Sequence, residues 1–236
     1  MRYTTKAGIE QKFMIGLDLG QVNDYTALVV LERLQTYKTE QVAMPRERDR
    51  YVVNAWEWQE VETVDQAYYH ARHIERFRLG TPYPDMIERV KQLTETDELK
   101  DRYGLIIDQT GVGRPVFDIA LQAGLNAIGL TITGGDAVTW VNRTTVRVAK
   151  RQLASTLHAV VLTKRLEIAR SMPYADTLTS ELLTFGSKIT DSANDIYEGR
   201  EGAHDDLVLA LALALWAGEA LASRQKKVAK QIQYLR

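Results

Sequence analysis

Three widely separated places in the chain carry carboxylates whose settings set them apart from ordinary surface acids. Asp18 interrupts a nearly continuous apolar run, FMIGLDL over Phe13 to Leu19, which has the signature of a strand buried on both faces. A lone carboxylate there is costly to bury unless it is paired, hydrogen-bonded or bound to a metal. The structural alternative is a strand-end acid accepting backbone N–H groups from the turn at Gly20. Asp108 repeats the arrangement, ending the strand Leu105-Ile106-Ile107 ahead of the loop Gly111-Val112-Gly113, where a turn-forming role competes with a functional one. Ligands gather beyond the carboxyl ends of strands in open α/β sheets, so the two acids would lie side by side if their strands are neighbours. The third place is Asp205-Asp206, directly after His204 and ahead of a strongly apolar helix. Acids cap helix N-termini and complement the dipole, but two adjacent ones exceed what capping requires, and helix geometry points them differently.

Brought together, these groups would do metal chemistry. Like charges about 4 Å apart repel by roughly 4 kcal/mol at an effective dielectric of 20, so such a cluster persists only if protons or cations neutralise it. Oxygen-only ligands select hard ions, Mg²⁺ or Mn²⁺, over zinc. Two such ions, about 3.5–4 Å apart, can activate a water and stabilise the leaving oxygen of a phosphodiester. Asp18 would bridge both ions, with Asp108 on one and Asp205 or Asp206 on the other.

The elements that must position these acids follow from hydrophobic patterning. After Phe13 to Leu19 and a turn over Gly20 to Asp24, a second strand is expected over Thr26 to Leu34 and a third over Tyr51 to Gln59, beyond a charged loop at Pro45 to Arg50. These strands suggest an antiparallel meander. Val61 to Leu79 reads as helical, and Tyr83 to Thr94 as a second helix. The chain then alternates as βα units do: a strand at Tyr103 to Asp108, a helix at Arg114 to Ala123 with Pro115 in its first turn, and a strand at Asn126 to Thr133. Thr145 to Leu157 reads as an amphipathic helix with Val146, Ala149, Leu153 and Leu157 on one face, Thr184 to Glu198 as a polar hairpin, and His204 to Leu221 as an apolar helix. The expected fold is α/β: a mixed sheet of RNase H-like order flanked by helices, with an added β-hairpin. Residues 1–12 are polar and patternless, as a linker or frayed end would be; 13–222 form the domain; 223–236 form a basic tail.

Composition excludes several classes. The chain has no cysteine, so disulfides and thiolate metal sites are ruled out. With 30 basic and 31 acidic residues, bulk charge announces no nucleic acid, and any contact with one must come from a local basic face. No apolar signal segment is present, and the longest apolar run, Leu207 to Gly218, is about half of the roughly 20 residues a membrane span needs. A soluble protein of the cytoplasm is the expectation.

Four segments in order, IGLDLGQVNDYTALVV, LIIDQTGVGRPVFD, TITGGD and EGAHDDLVLALALALW, with RHIERFRLGTPYPDMIERV between the first two, resemble the nuclease domain of phage and prophage terminase large subunits. The likeness runs from about Phe13 to Trp216. It implies an RNase H-like, Mg²⁺- or Mn²⁺-dependent endonuclease with two ions, which cuts double-stranded viral DNA concatemers during packaging in the cytoplasm of a bacterial host. It also implies Asp18, Asp108, Asp205 and Asp206 as catalytic metal ligands. Asp24 falls where such nucleases often carry a further acid, a turn role being the alternative. Implied partners are DNA, the terminase ATPase motor and, beyond it, portal protein and the small terminase subunit. No GxxxxGK[ST] phosphate loop occurs, so the chain would not translocate DNA alone; it reads as an excised nuclease domain or a separate small protein.

Phosphate contacts are expected from Arg143, Arg147, Lys150 and Arg151, clustered at the start of one helix, and from Lys188 on the hairpin; a solvated helix face is the alternative. The tryptophans at 56, 58, 140 and 216 suit packing better than base stacking, and His70 and His73 suit the surface. Three other readings compete. A Holliday-junction resolvase shares fold and ions. An actin- or sugar-kinase-like ATP-binding domain would explain IGLDLG with Thr26 but leaves Asp205-Asp206 unexplained. A non-catalytic module of a packaging motor would keep the acids for stability.

Overall fold

The structure, a computed structural model, describes residues 13–20, 24–45, 56–111, 113–191 and 205–234. The expected linker at 1–12 and the tip of the charged loop lie outside them. The described residues form eight strands, β1 (Phe13–Asp18), β2 (Ala27–Pro45), β3 (Trp56–Arg76), β4 (Tyr103–Asp108), β5 (Ala127–Thr133), β6 (Val138–Trp140), β7 (Thr145–Ala149) and β8 (Leu166–Glu167). Five helices join them: α1 (Tyr83–Thr94), α2 (Gly113–Gln122), α3 (Lys150–Leu162), α4 (Ala175–Asp191) and α5 (Asp206–Tyr234).

One mixed sheet, in the order β6-β7-β5-β4-β1-β2-β3-β8, divides the molecule. β1, β2 and β3 form the expected antiparallel meander, and β1, β4, β5 and β7 run parallel. β1 is central and wholly buried, which is why its sequence is a continuous apolar run rather than an alternating one. Its even positions and those of β4 (Met14, Ile106) join a core with α3, α4 and α5, while Ile15, Leu17, Leu105 and Ile107 join the opposite core with α1 and α2. α5 lies across β1, β2, β3 and β4, with every residue from Leu207 to Leu215 except Leu209 fully buried. Each buried leucine or valine there contributes roughly 1.5–3 kcal/mol, so packing, not propensity, anchors this helix.

Three expectations about elements are corrected. Residues 61–76, read as helical, are the second half of β3, paired with β2 from Ala27↔Arg76 to Pro45↔Trp56. Ala67, Tyr69 and Ala71 are buried at strand spacing, and a bulge opposite Val30/Leu31 inserts one extra residue before buried Ile74. That insertion turns a period of two into a spacing of four then three, which imitates a helix. Residues 145–149, read as the start of a helix, are β7: Val146 and Val148 are buried and Arg147 between them is exposed. The helix begins only at Lys150. Residues 184–191, read as one arm of a hairpin, continue α4, where Leu178, Glu181 and Phe185 bury one helical face; 192–198 lie outside the described residues. The backbone of the expected tail stays helical, since α5 runs through residues 223–234.

Candidate metal centre

The parallel pairing of β1 with β4 ends at Leu17↔Ile107, so Asp18 and Asp108 close adjacent strands one residue further on. Alternation puts Asp18 on the side of Met14 and Asp108 on the side of Ile106, the face covered by α5. Both are buried. Helix α5 crosses β1 in direct backbone contact: a Cβ on Gly16 would meet the Ala210 carbonyl oxygen at 1.9 Å. Asp206 lies one turn, about 5.4 Å, before Ala210. Asp18 lies two residues, about 6.6 Å, beyond Gly16 along the strand. The start of α5 therefore comes to the strand end where Asp18 and Asp108 sit. Asp205 there is half-buried and Asp206 buried.

The electrostatics record this convergence. Burial pushes the Asp18 carboxyl well above the usual carboxylate range, and the charges of Asp108, Asp206, Asp205 and Asp24 push it further. Burial raises Asp108 too, opposed by Thr110, whose backbone N–H and hydroxyl donate to Asp108 Oδ1 at 2.8 and 2.5 Å. These bonds are the turn role considered for Asp108. For Asp18 the turn at Gly20 is satisfied differently, by Gly20 N–H donating to Thr26 Oγ1 at 3.1 Å.

The end of β3 and α4 complete the surroundings. Arg76 reaches Asp206 Oδ2 with its Nε at 2.8 Å, pairs through Nη2 with Glu181 Oε1, and lies over the Tyr25 ring at 5.0 Å. Glu181 Oε2 accepts the Val208 N–H at 3.1 Å, so the orphan donor in the first turn of α5 is capped by α4 rather than by the local acids. Burial raises Glu181, and the charge of Asp206 adds to this, against the Val208 N–H and Arg76. Among the described residues, no three histidine or carboxylate side chains stand close enough to hold one ion as a finished cage. Asp206 is drawn to Arg76, and one oxygen of Asp108 is turned to Thr110. What the arrangement offers is a buried cluster of carboxylates within electrostatic reach of Asp18, with Asp24 exposed beside it.

The basic residues do not form the expected helix face. Arg143 is exposed in the turn before β7, three residues ahead of Val146, which the register sets level with Asp108 through Leu130. Arg147 is exposed on β7 facing away from the core that contains Val146 and Val148, hence on the opposite face of the sheet from Asp18. Lys150, at the start of α3, lies four residues beyond Val146 and so past the level of the acids, and Arg151 beside it pairs with Asp136 at 2.7 Å. Lys188 is in α4, and its side chain lies outside the described residues. His70 pairs with Glu167 at 3.3 Å and His73 with Glu75 at 2.7 Å, apart from the acids. Trp216 is core, and Trp140 packs against it as a partly buried neighbour.

Sequence reasoning missed Arg76 and Glu181. Arg76 stands in a stretch that imitates a helix, and Glu181 shows only ordinary helix chemistry; no local signal marks either residue as a neighbour of the acids.

No protein-family model matches the chain, and neither does any curated protein sequence. Solved structures do. The large terminase nuclease of thermophilic phage G20c with bound magnesium aligns with a TM-score of 0.53 and 22% identity over 86% of this chain and 79% of that one. The same nuclease with bound cobalt gives the same TM-score and identity, 0.53 and 22%. At that identity the likeness establishes architecture: this chain has the RNase H-like fold of a large terminase nuclease domain.

Proposed function

We propose that this chain is a divalent-metal-dependent endonuclease that hydrolyses phosphodiester bonds in double-stranded DNA, acting in the cutting of viral DNA concatemers during packaging. The observation that carries the reading is Asp18: a buried carboxylate at a central strand end, pushed toward its protonated form by burial and by acids from β4, the start of α5 and the Gly20 turn. Apolar packing alone gives no reason to gather such charges, whereas a cation does. Oxygen-only donors suit Mg²⁺ or Mn²⁺, and the terminase nuclease of like fold was solved with magnesium and with cobalt. Asp18, Asp108 and the Asp205-Asp206 pair would hold two ions. Bound there, the ions would activate a water and stabilise the leaving oxygen. The chain's own task is to keep four carboxylates close, ionised and shielded, with the strand ends and the start of α5 as supports. DNA would lie across the strand ends that carry these acids, with Lys150 as a phosphate contact. A motor ATPase, portal protein and small terminase subunit are the partners of this reading, and the bacterial cytoplasm its setting. No helix among the described residues is long and apolar enough to cross a membrane.

Supercoiled plasmid incubated with the protein tests the proposal. Nicking that needs Mn²⁺ or Mg²⁺, stops with chelator and is absent in Asp18→Asn is expected, together with a rise in melting temperature on adding Mn²⁺ to wild type. Cleavage retained in Asp18→Asn, or neither cleavage nor a Mn²⁺ response in wild type, overturns it. Stabilisation by ATP without cleavage would favour the nucleotide-binding alternative.

A further inference from the structure

We infer that Arg76 and Glu181 act as a positioning pair for the metal centre, fixing the Asp206 carboxylate and the start of α5 so that the acidic pocket is ready to receive a cation. The inference rests on the metal-dependent reading above and concerns two residues outside the carboxylate set.

The geometry is specific. Arg76 is held on three sides, by the Tyr25 ring, by Glu181 and by Asp206, and its side chain is only 13% exposed. The guanidinium donates a hydrogen bond to Glu181 through Nη2 and stands in ion-pair contact with Asp206 through Nε, so it lies between two acids. Glu181 divides its own two oxygens between Arg76 and the Val208 N–H. Thus one chain of contacts ties the last residue of β3 through α4 to the first turn of α5, where Asp205 and Asp206 stand.

Glu181 supplies Arg76 with a carboxylate of its own, so Arg76 is not spent on Asp206 alone. The ion-pair contact holds the Asp206 carboxylate against the end of β3, where the first turn of α5 meets it. Outer partners of this kind set ligand orientation, and their loss typically costs roughly 10- to 100-fold in metal affinity.

The test measures Mn²⁺ binding by calorimetry and, separately, the Mn²⁺ concentration giving half-maximal plasmid nicking, for wild type, Arg76→Met, Arg76→Lys and Glu181→Gln. Arg76→Met and Glu181→Gln are expected to weaken Mn²⁺ binding about tenfold or more, with nicking recovered at high Mn²⁺. Arg76→Lys should restore part of the loss. Glu181→Gln keeps an acceptor for Val208, so it reports even if Arg76→Met fails to fold. If the folded variants melt lower yet keep the wild-type Mn²⁺ affinity, the pair is merely structural and the inference fails while the nuclease reading stands. Tighter Mn²⁺ binding in Arg76→Met would make Arg76 a competing counter-ion and also overturn it. Absence of Mn²⁺ binding in wild type itself would remove both.

Discussion

The carbonyl oxygen of Ala210 occupies the space that a side chain on Gly16 would need, 1.9 Å from an ideal Cβ, with the Ala214 nitrogen at 3.0 Å. Strand and helix meet there as bare backbones, and the start of α5 takes its place from that contact. Gly16→Val should cost about 1–3 kcal/mol or more, because both obstructing atoms are backbone and neither can rotate away. Urea denaturation measures the loss. The same variant is expected to lose its Mn²⁺-induced rise in melting temperature, since lifting α5 carries Asp205 and Asp206 away from Asp18.

Asp18→Asn should melt higher than wild type when no cation is present, although it destroys the proposed activity. The sign follows from linkage. The folded Asp18 holds its proton more tightly than an unfolded one with its ordinary value of 3.8, so its contribution favours the fold below that value and is lost as pH rises through the raised folded value. The stability advantage of the asparagine variant over wild type should therefore grow with pH over that window. Melting curves across a pH series in chelator check this; an advantage that shrinks on going to neutral pH would contradict it.

Lys150→Ala should weaken DNA binding about equally for all sequences and lower the salt slope by about one, as removal of one phosphate contact does. Arg147→Ala should change it far less, because Arg147 points to the face of the sheet opposite Asp18. Salt-dependent anisotropy with a catalytically dead Asp18→Asn background gives the comparison.

Tyr69→Phe should cost about 0.5–1.5 kcal/mol without altering the Mn²⁺ dependence of cleavage. The Tyr69 hydroxyl donates to Glu219 Oε1 at 2.8 Å, and Arg165 also holds that oxygen at 2.6 Å, so the acid keeps a partner when the hydroxyl is removed. This cluster ties the far part of α5 to β3 and β8, more than two helical turns beyond Ala210. Chemical denaturation and a nicking titration separate the two readouts.

The sequence by itself determined the central strand, the two strand-end acids and the helix that opens on Asp205-Asp206. Complete burial of β1 and α5 writes itself as unbroken apolar runs, against which a carboxylate stands out. It also determined α1 and the parallel step from β4 through α2 to β5, where Pro, Gly and alternating strand and helix patterns agree. Only the tertiary structure decided that residues 61–76 extend a strand, because one bulge shifts the buried set to helical spacing. It likewise separated Arg143, Arg147 and Lys150 between strand and helix, where a β7 of five residues runs straight into α3 with no break in the apolar pattern. Arg76 and Glu181 came to Asp206 only through folding. Long-range pairing depends on how strands and helices pack in three dimensions, and a residue's own neighbours in the chain carry no trace of it.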